Sequence, residues 1–423
     1  MAGTDNPKNF EAPQPPAPLP FQATGTFRSL RHRNFQLYFG GQLISIAGTW
    51  MQIVAQGWLV YQISHSELTL GIVGFASAIP ALIVAPFGGA LVDRLPKRNL
   101  LIVTQAVAML LALILAALAF SGRAQVWHVV ALAAGLGLAN AFDGPARQAF
   151  VVEMVGREDL TNAIALNSMM FNGARVIGPA IGGLLLATVG SGWCFLINGL
   201  SYIAVIAGLA AMKLPPHIRL PVTTTPMREM AHGLRYVLAH VEQFALLLLA
   251  LIFAVFGLSY NTVLPAFATV VLRAGPEGYG LLNAATGLGA MAGALIIART
   301  GGGRRGRWMT VASLTFPIVL LAFAVVTNLY LSLALALLLG LIFMIQFTLI
   351  NTLLQLNVAD EMRGRVLSLY VLTWFGFAPF GNLAMGNLAE HWGLSLTIGL
   401  AAVVAMVLAA LVFAIVPRLR RLL

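Results

Sequence analysis

The sequence predicts an all-α membrane protein of about twelve transmembrane helices in two pseudo-symmetric six-helix bundles. The 423 residues are 59% hydrophobic and only 9% charged, whereas soluble domains contain about 25% charged residues. Apolar runs recur from Phe35 to Val416, and several reach the roughly 20 residues needed to cross a bilayer. A longer polar stretch, 213–243, separates the first six runs from the last six.

The elements follow from these runs in chain order. Residues 1–27 are rich in proline and contain no hydrophobic core of a signal peptide, so we expect a disordered tail. A first bundle spans 28–212, a linker 213–243, a second bundle 244–416 and a basic tail 417–423. The predicted spans are 35–62, 68–92, 99–120, 126–148, 161–188, 192–212, 244–272, 278–299, 308–327, 329–356, 366–389 and 393–416.

Within the linker, the pattern of residues 227–241 becomes amphipathic after a run of prolines. Met230, Leu234, Val237 and Leu238 alternate with charged residues at helical spacing. Such a segment is typical of a helix that lies along a membrane surface. We therefore expect a surface helix between the two bundles.

Lysine and arginine occur mainly in every second loop. The N-terminal region, the loops after the second, fourth, eighth and tenth spans, the linker and the C-terminal tail carry them, whereas the other loops hold only Arg123 and Arg273. The positive-inside rule then places both termini and the linker in the cytoplasm.

Composition also argues against several function classes. The net charge of +11 comes from basic residues dispersed between apolar runs, so we interpret them as topological anchors and expect no nucleic-acid partner. Cys194 is the only cysteine, which excludes an intramolecular disulfide or a cysteine cluster for a metal. The segment Gly287-Leu288-Gly289 lies in an apolar span without a preceding strand, so it predicts no dinucleotide site. The histidines fall mostly near loops, and we expect neither an enzyme nor a cofactor.

Polar residues inside the first span form one helical face. Gln42, Ser45, Thr49, Gln52 and Gln56 recur at spacings of three and four. This stripe is compatible with a water-filled cavity, and it is also compatible with hydrogen bonds between helices that serve no transport role.

Ionisable residues within spans are costly and usually functional. Asp143 and Arg147 lie one turn apart in the fourth span, so Asp143 is either a proton site or a structural partner of Arg147. Arg175 lies deep in the fifth span at helical spacing from Asn172, and we expect it to orient a polar or anionic cargo group or to pin its helix. The neutral pathway candidates of the second half are Asn261, Gln346 and Asn351.

Two motifs carry a family resemblance. Gly89, Asp93, Arg94, Lys97 and Arg98 form a loop that resembles the second-loop motif of the major facilitator superfamily, with Pro96 in place of its later glycine. Gly178 and Pro179 in the fifth span resemble the end of a motif associated with antiporters, and Pro379 with Gly381 echoes them about two hundred residues later.

Further segments resemble the bacterial branch that includes the enterobactin exporter and related efflux carriers. They include Asn34-Phe35-Gln36-Leu37-Tyr38, Pro145-Ala146-Arg147-Gln148 and Arg363-Gly364-Arg365. The resemblance implies export by proton antiport, but it does not fix the cargo. Spans with few charges and several aromatic residues favour a small amphipathic molecule, of drug or siderophore type. We therefore expect a monomeric carrier in the bacterial inner membrane that works by alternating access. The resemblance also implies that the second loop, together with Arg363 and Arg365, acts as a cytoplasmic latch.

Alternatives within the same fold are a transporter of lipid or lysolipid and a nutrient uptake carrier. A membrane sensor or scaffold that transports nothing is an alternative from another class. The partners expected for the preferred hypothesis are a small-molecule substrate, protons and membrane lipid.

Overall fold

The computed structural model describes residues 27–213, 226–299 and 303–422, except for the side chains of 85–94 and 226–229. The predicted tail 1–27, apart from its last residue, and most of the proline-rich part of the linker lie outside these residues. In the described part, the chain is almost entirely helical, and twelve stretches are long and apolar enough to cross a membrane. This confirms the predicted fold class.

The first bundle begins with a 3₁₀ turn, Arg28–Arg31, and continues with six helices joined by short turns. These are α1 Arg33–Ser64, α2 Glu67–Arg94, α3 Lys97–Phe120, α4 Val126–Val155, α5 Leu160–Thr188 and α6 Ser191–Ala210. Gly190 separates α5 from α6 with a φ of 88°, a conformation that glycine adopts at little cost. This sharp turn reverses the chain, and α6 then packs against α1 and α3.

The second part begins with α7, Pro226–Ala239, close to the predicted surface helix. The spans that follow are formed by α8 Val241–Ile252 with its irregular continuation to Val271, α10 Gly275–Arg299, α11 Arg305–Val325, α12 Leu329–Asn357, α13 Asp360–Trp392 and α14 Leu394–Ile415. A 3₁₀ helix, Pro417–Arg421, follows.

The seventh span is not the continuous helix that its hydropathy suggests. After α8, the backbone passes through a π-helical turn, Phe253–Gly257, a 3₁₀ turn, Ser259–Val263, the short α9, Leu264–Ala266, and a second π-helical turn, Phe267–Val271. Pro265 has no amide hydrogen to donate, which disfavours a regular helix at this point. Such irregular backbone in a span is frequently found at functional sites.

Two helices extend six to seven residues further at one end than predicted. The fourth span was predicted to end at 148, but α4 continues to Val155, and the eleventh was predicted to begin at 366, but α13 begins at Asp360. Hydropathy detects the apolar part of a helix, whereas these helices extend into charged segments.

Two helix pairs join the bundles, α2 with α13 and α5 with α10. We name the two ends of the molecule by their loops. The basic end carries the α2–α3, α4–α5, α10–α11 and α12–α13 connections, and the opposite end carries the α1–α2, α3–α4, α5–α6 and α13–α14 connections. A Cβ atom placed on Gly71 of α2 would lie 2.8 Å from the Asn382 carbonyl oxygen of α13, and one on Gly183 of α5 would lie 2.5 Å from the Cα of Gly280 of α10. All four residues lie toward the opposite end, so the bundles are in close contact there.

Candidate functional site

A recess near the middle of the spans lies where the two bundles meet. Its walls come from α5, the interrupted seventh span, α10, α11 and α12. The lining residues are Arg175, Leu258, Tyr260, Asn261, Thr286, Phe316, Leu339, Gly340 and Phe343. One cation, several neutral polar groups and two phenylalanine rings therefore share this recess.

Arg175 is the cation of the recess, and it is half-buried. Its guanidinium lies 5.5 Å from the ring centroid of Trp50 on α1, and Trp50 in turn meets Phe171 edge to face at 5.7 Å. Among the described residues, Arg175 has no acidic partner within ion-pair distance. The aromatic ring offsets only part of the cost of placing this charge in a span.

The interrupted segment supplies the opposing wall. Asn261, in the 3₁₀ turn, donates its side-chain amide to the Leu258 carbonyl oxygen at 3.0 Å, and Tyr260 is buried against the Phe323 ring. Two predicted pathway residues, Arg175 and Asn261, are thus brought together although they come from different bundles. Non-helical backbone at membrane depth is tolerated where protein buries it or where it lines a cavity.

Asp143 and Arg147 form a second polar centre, which lies inside the first bundle. The Oδ1 atom of Asp143 accepts hydrogen bonds from Thr104 Oγ1 at 2.9 Å and from Gln105 Nε2 at 2.8 Å, and Oδ2 lies 2.6 Å from Arg147 Nε. Arg147 also donates to Gln42 Oε1. Asp143 is 6% exposed. All three of these partners can donate hydrogen bonds to the carboxylate.

The polar face of the first span packs against neighbouring helices. Gln42 contacts Arg147 of α4, and Gln52 accepts a hydrogen bond from Asn198 of α6 at 2.6 Å. Thr49 donates to the Ser45 carbonyl oxygen on its own helix and lies 3.5 Å from the Tyr202 hydroxyl. Gln56 is half-buried. The contacts of Gln42 and Gln52 correspond to the second interpretation of the stripe, hydrogen bonds between helices.

Three other predicted pathway residues do not line the recess. Asn172 donates to the Ser168 carbonyl oxygen at 2.8 Å, and Asn351 accepts from Gln355 at 2.5 Å, so both are engaged on their own helices. Gln346 is fully buried in α12, and neither polar atom of its amide has a hydrogen-bond partner in the part of the chain that the structure describes.

The predicted latch residues lie at the basic end. Gly89, Asp93 and Arg94 belong to the part of α2 whose side chains lie outside the described residues. Lys97 forms an ion pair with Glu153 at 2.7 Å, and Arg98 donates to the Leu209 and Ala210 carbonyl oxygens at 2.7 and 2.6 Å. These contacts stay within the first bundle.

The second-half members of the predicted latch lie at the start of α13. Arg363 donates to the Gln355 carbonyl oxygen at 3.1 Å and pairs with Asp360, while Arg365 Nη1 lies 3.1 Å from the Met362 sulfur. The contacts of Arg363 and this contact of Arg365 remain within the second half.

The Gly-Pro pair of α5 is a packing site. A Cβ atom on Gly178 would lie 2.6 Å from the Ala47 carbonyl oxygen and equally near Trp50 Cβ of α1. Gly178 and Pro179 are both buried. Only glycine allows α5 to approach α1 this closely.

Sequence reasoning missed a charged cluster at the basic end. The Asp159 carboxylate is 3% exposed and contacts Arg28 at 2.7 Å, Arg31 at 3.2 Å and His32 at 2.7 Å. The His32 hydrogen bond, followed by the two arginines, holds the pKa of Asp159 below its usual range. The signal in the sequence is the basic run 28–33, which hydropathy and charge counting interpret only as one of the topological anchors.

Comparison with known proteins identifies the family of the chain. A family model described as transmembrane secretion effector, within the major facilitator group, matches residues 24–422. The staphyloferrin A transporter of Staphylococcus aureus is 27% identical over 84% of this chain and 90% of its own length. The multidrug efflux pump Tap of Mycolicibacterium fortuitum is 29% identical over 89% of this chain and 94% of its own length.

Solved structures share the fold at low identity. The nucleoside transporter NupG superposes with a TM-score of 0.70 at 14% identity, covering 91% of this chain and 98% of its own. A D-xylose–proton symporter superposes with a TM-score of 0.68 at 14% identity, covering 91% and 96%. These similarities support the two-bundle architecture.

Proposed function

Because the chain belongs to the transmembrane secretion effector family of the major facilitator superfamily, we propose that it exports a small amphipathic molecule of siderophore or drug type. Export proceeds by alternating access of the central recess, and we propose proton antiport as its energy source. Two relatives, described as a siderophore transporter and a multidrug efflux pump, support this class of cargo.

The observation that carries the proposal is the position of Arg175. Its guanidinium, which has no acidic partner among the described residues, lines the recess between the bundles together with Tyr260 and Asn261 of the interrupted span. A charge placed in a span without an acidic partner is costly and is usually retained for function. An anionic or strongly polar group of the cargo would compensate the charge, while Trp50, Phe316 and Phe343 would contact its apolar part.

We propose that the basic end faces the cytoplasm of a bacterial cell and that the protein works in the inner membrane as a monomer. The distribution of lysine and arginine supports this orientation. In the described structure the bundles meet near the opposite end, which in this orientation is the outer side. The structure would then correspond to a carrier closed toward the outside.

Asp143 acts in this proposal as a structural anion. Three donors from α3 and α4 surround its carboxylate, and protonation would lose the ion pair with Arg147. A neighbouring guanidinium favours the ionised form of a carboxyl group. The pair would hold α1, α3 and α4 together throughout the transport cycle.

The energy source can be tested quantitatively in everted membrane vesicles. One proton moving down a potential of 100 mV provides about 2.3 kcal/mol, which sustains roughly a 50-fold cargo gradient. A susceptibility and siderophore-secretion panel on a strain lacking the gene would first identify a transported compound. Cargo accumulation that persists after both the potential and the pH gradient are collapsed would refute proton coupling.

The role of Arg175 is tested by substitution at equal amounts of folded protein. We expect Arg175→Ala to reduce the transport rate at least roughly tenfold, because losing a charge-assisted hydrogen bond costs about 1.5–3 kcal/mol. Arg175→Lys keeps the charge and should retain part of the activity. Arg123→Ala, at an exposed position in the α3–α4 loop, is the matched control. Parental transport by Arg175→Ala would exclude this residue from cargo binding.

A further inference from the structure

At the opposite end of the molecule, a carboxylate of the second bundle binds the start of a helix in the first. Glu390, near the end of α13, accepts hydrogen bonds from the Ser66 hydroxyl at 2.8 Å and from the Leu68 amide at 3.1 Å. The first amides of a helix have no partner within the helix, so the start of α2 favours an anion. Glu390 therefore links the bundles at this end.

The backbones are also close here. A Cβ atom on Gly386, one turn before Glu390, would lie 2.5 Å from the Glu67 carbonyl oxygen. The Phe75 and Phe380 rings meet edge to face at 5.5 Å further along the same helix pair. The hydrogen bonds of Glu390 thus form the outermost part of a continuous contact between α2 and α13.

A second carboxyl group faces the first across this contact. Glu67, the first residue of α2, lies between Ser66 and Leu68, the two residues that donate hydrogen bonds to Glu390, and its carboxyl group interacts with that of Glu390. Among the described residues, neither glutamate is within ion-pair distance of a lysine, arginine or histidine. Two carboxylates in contact repel each other when both are ionised, whereas a shared proton turns the repulsion into a hydrogen bond.

The described residues around the pair do not provide a compensating cation. Tyr61 of α1 is a neighbour of both glutamates, and the His65 ring lies edge-on to Tyr61 at 5.9 Å. His391 follows Glu390 on α13, but its Nδ1 atom contacts the Asn387 carbonyl oxygen at 2.8 Å. Glu390 is exposed and Glu67 is half-exposed, so protons can reach the pair from the solution on this side.

We propose that Glu67 and Glu390 together bind one proton and that this proton stabilises the state in which the bundles meet at the opposite end. Loss of the proton leaves two adjacent carboxylates and weakens the contact between α2 and α13. The role of the pair in transport rests on the proposed function. In an exporter whose basic end is cytoplasmic, the pair is a proton-binding site of the outer gate.

Distance measurements between spin labels across the opposite end test this inference. Labels at Arg123→Cys, in the α3–α4 loop, and Tyr330→Cys, at the start of α12, occupy exposed positions on the two bundles. Cys194 is fully buried and can be replaced by serine to leave only these thiols. The protein is measured in phosphatidylcholine nanodiscs at pH 8 and pH 5, where both faces experience the same pH.

In the parent, we expect the short-distance population to increase when the pH is lowered. In Glu67→Gln, and likewise in Glu390→Gln, this pH dependence should be lost. Glu277→Gln changes an exposed glutamate in the first turn of α10 at the same end, and it should keep the parental pH dependence. A parent without pH dependence, or a Glu67→Gln variant that retains it, would overturn the proposal.

The measurement needs neither cargo nor a proton gradient. A chain that moves no compound in vesicles but loses its pH-dependent distance change in Glu67→Gln would refute the transport proposal and support the proton site. A transporting chain with an unaltered Glu67→Gln profile would give the reverse result.

Discussion

Gly183 offers a direct test of whether the bundles separate at the opposite end. A Cβ atom at this position would lie 2.5 Å from the Cα of Gly280, whereas ordinary van der Waals contacts begin at 3.4 Å. The difference requires α5 and α10 to move apart by about 0.9 Å for Gly183→Ala. Because the neighbouring atoms belong to backbone, a side-chain rotation cannot relieve the overlap.

The expected magnitude follows from the cost of overpacking, typically about 1–3 kcal/mol. That cost arises only in the state in which α5 and α10 touch, so it changes the conformational equilibrium by about 5- to 150-fold. We predict that Gly183→Ala shifts the population toward a state open at the opposite end. The variant should also transport more slowly, because each cycle must pass through the disfavoured state.

The spin-label pair at positions 123 and 330 reports this shift as an increase in the long-distance population at constant pH. Gly173→Ala is the matched control, because it lies on the same helix and a Cβ atom there has no neighbour within 4 Å. Identical distance distributions for Gly183→Ala and the parent would refute the assignment of this contact as a moving interface. An equal shift in Gly173→Ala would attribute the effect to helix α5 in general.

Two further substitutions test whether the buried carboxylates Asp143 and Asp159 stabilise the fold or take part in proton coupling. Asp143→Asn leaves Arg147 uncompensated in a buried site, so we expect thermal unfolding to show a loss of stability of about 3–5 kcal/mol. The variant protein that still folds should transport with an unchanged proton-to-cargo ratio. A stable variant that transports cargo without coupled protons would make Asp143 a proton carrier. At Asp159 the pKa is lowered, chiefly by the His32 hydrogen bond and then by Arg31 and Arg28. Its stabilisation is therefore complete above the unfolded value of about 3.9 and is lost as the pH falls through the folded value. Asp159→Asn should lower the unfolding temperature between pH 5 and 8, whereas Glu158→Gln, at the exposed neighbouring position, should not.

The spans could be predicted from hydropathy because each segment that crosses the membrane must itself be apolar over about 20 residues. The interruption of the seventh span could not, because the segment Val241–Val271 is hydrophobic enough to cross a membrane whether its backbone is regular or not. Pro265 and the polar trio Ser259, Tyr260 and Asn261 were the local signals. The sequence alone does not predict that Arg175 of the first bundle lines the same recess as Asn261 of the second, because this proximity depends on how the two bundles pack.

The polar stripe of the first span shows the same limit at the level of side chains. Helical spacing predicted that Gln42 and Gln52 share one face, but a face can border water or another helix with the same spacing. The partner of Gln52 is Asn198 on α6, about 150 positions later in the chain, which donates a hydrogen bond at 2.6 Å. The partners of Asp143 on α3, Thr104 and Gln105, are likewise distant in the chain. Pairings over such separations depend on helix packing, which residue spacing alone does not determine.

Glycine and proline recur together in the fifth and eleventh spans, and their contacts indicate why the central recess is asymmetric. In the first bundle, Gly178 of α5 packs on α1, and in the second bundle Gly381 of α13 packs on the seventh span, where a Cβ atom would lie 2.5 Å from the Val255 carbonyl oxygen. The fifth helix of each bundle therefore contacts the first helix of the same bundle in an equivalent way. The helix on the receiving side differs, because α1 is continuous and the seventh span is interrupted. The first bundle thus contributes a charged side chain on a regular helix, and the second contributes irregular backbone and neutral polar groups. A cargo would match this division if one end were anionic and the other were largely apolar with a few neutral hydrogen-bonding groups. Arg175→Glu reverses the charge of the recess and should then change which compounds are exported.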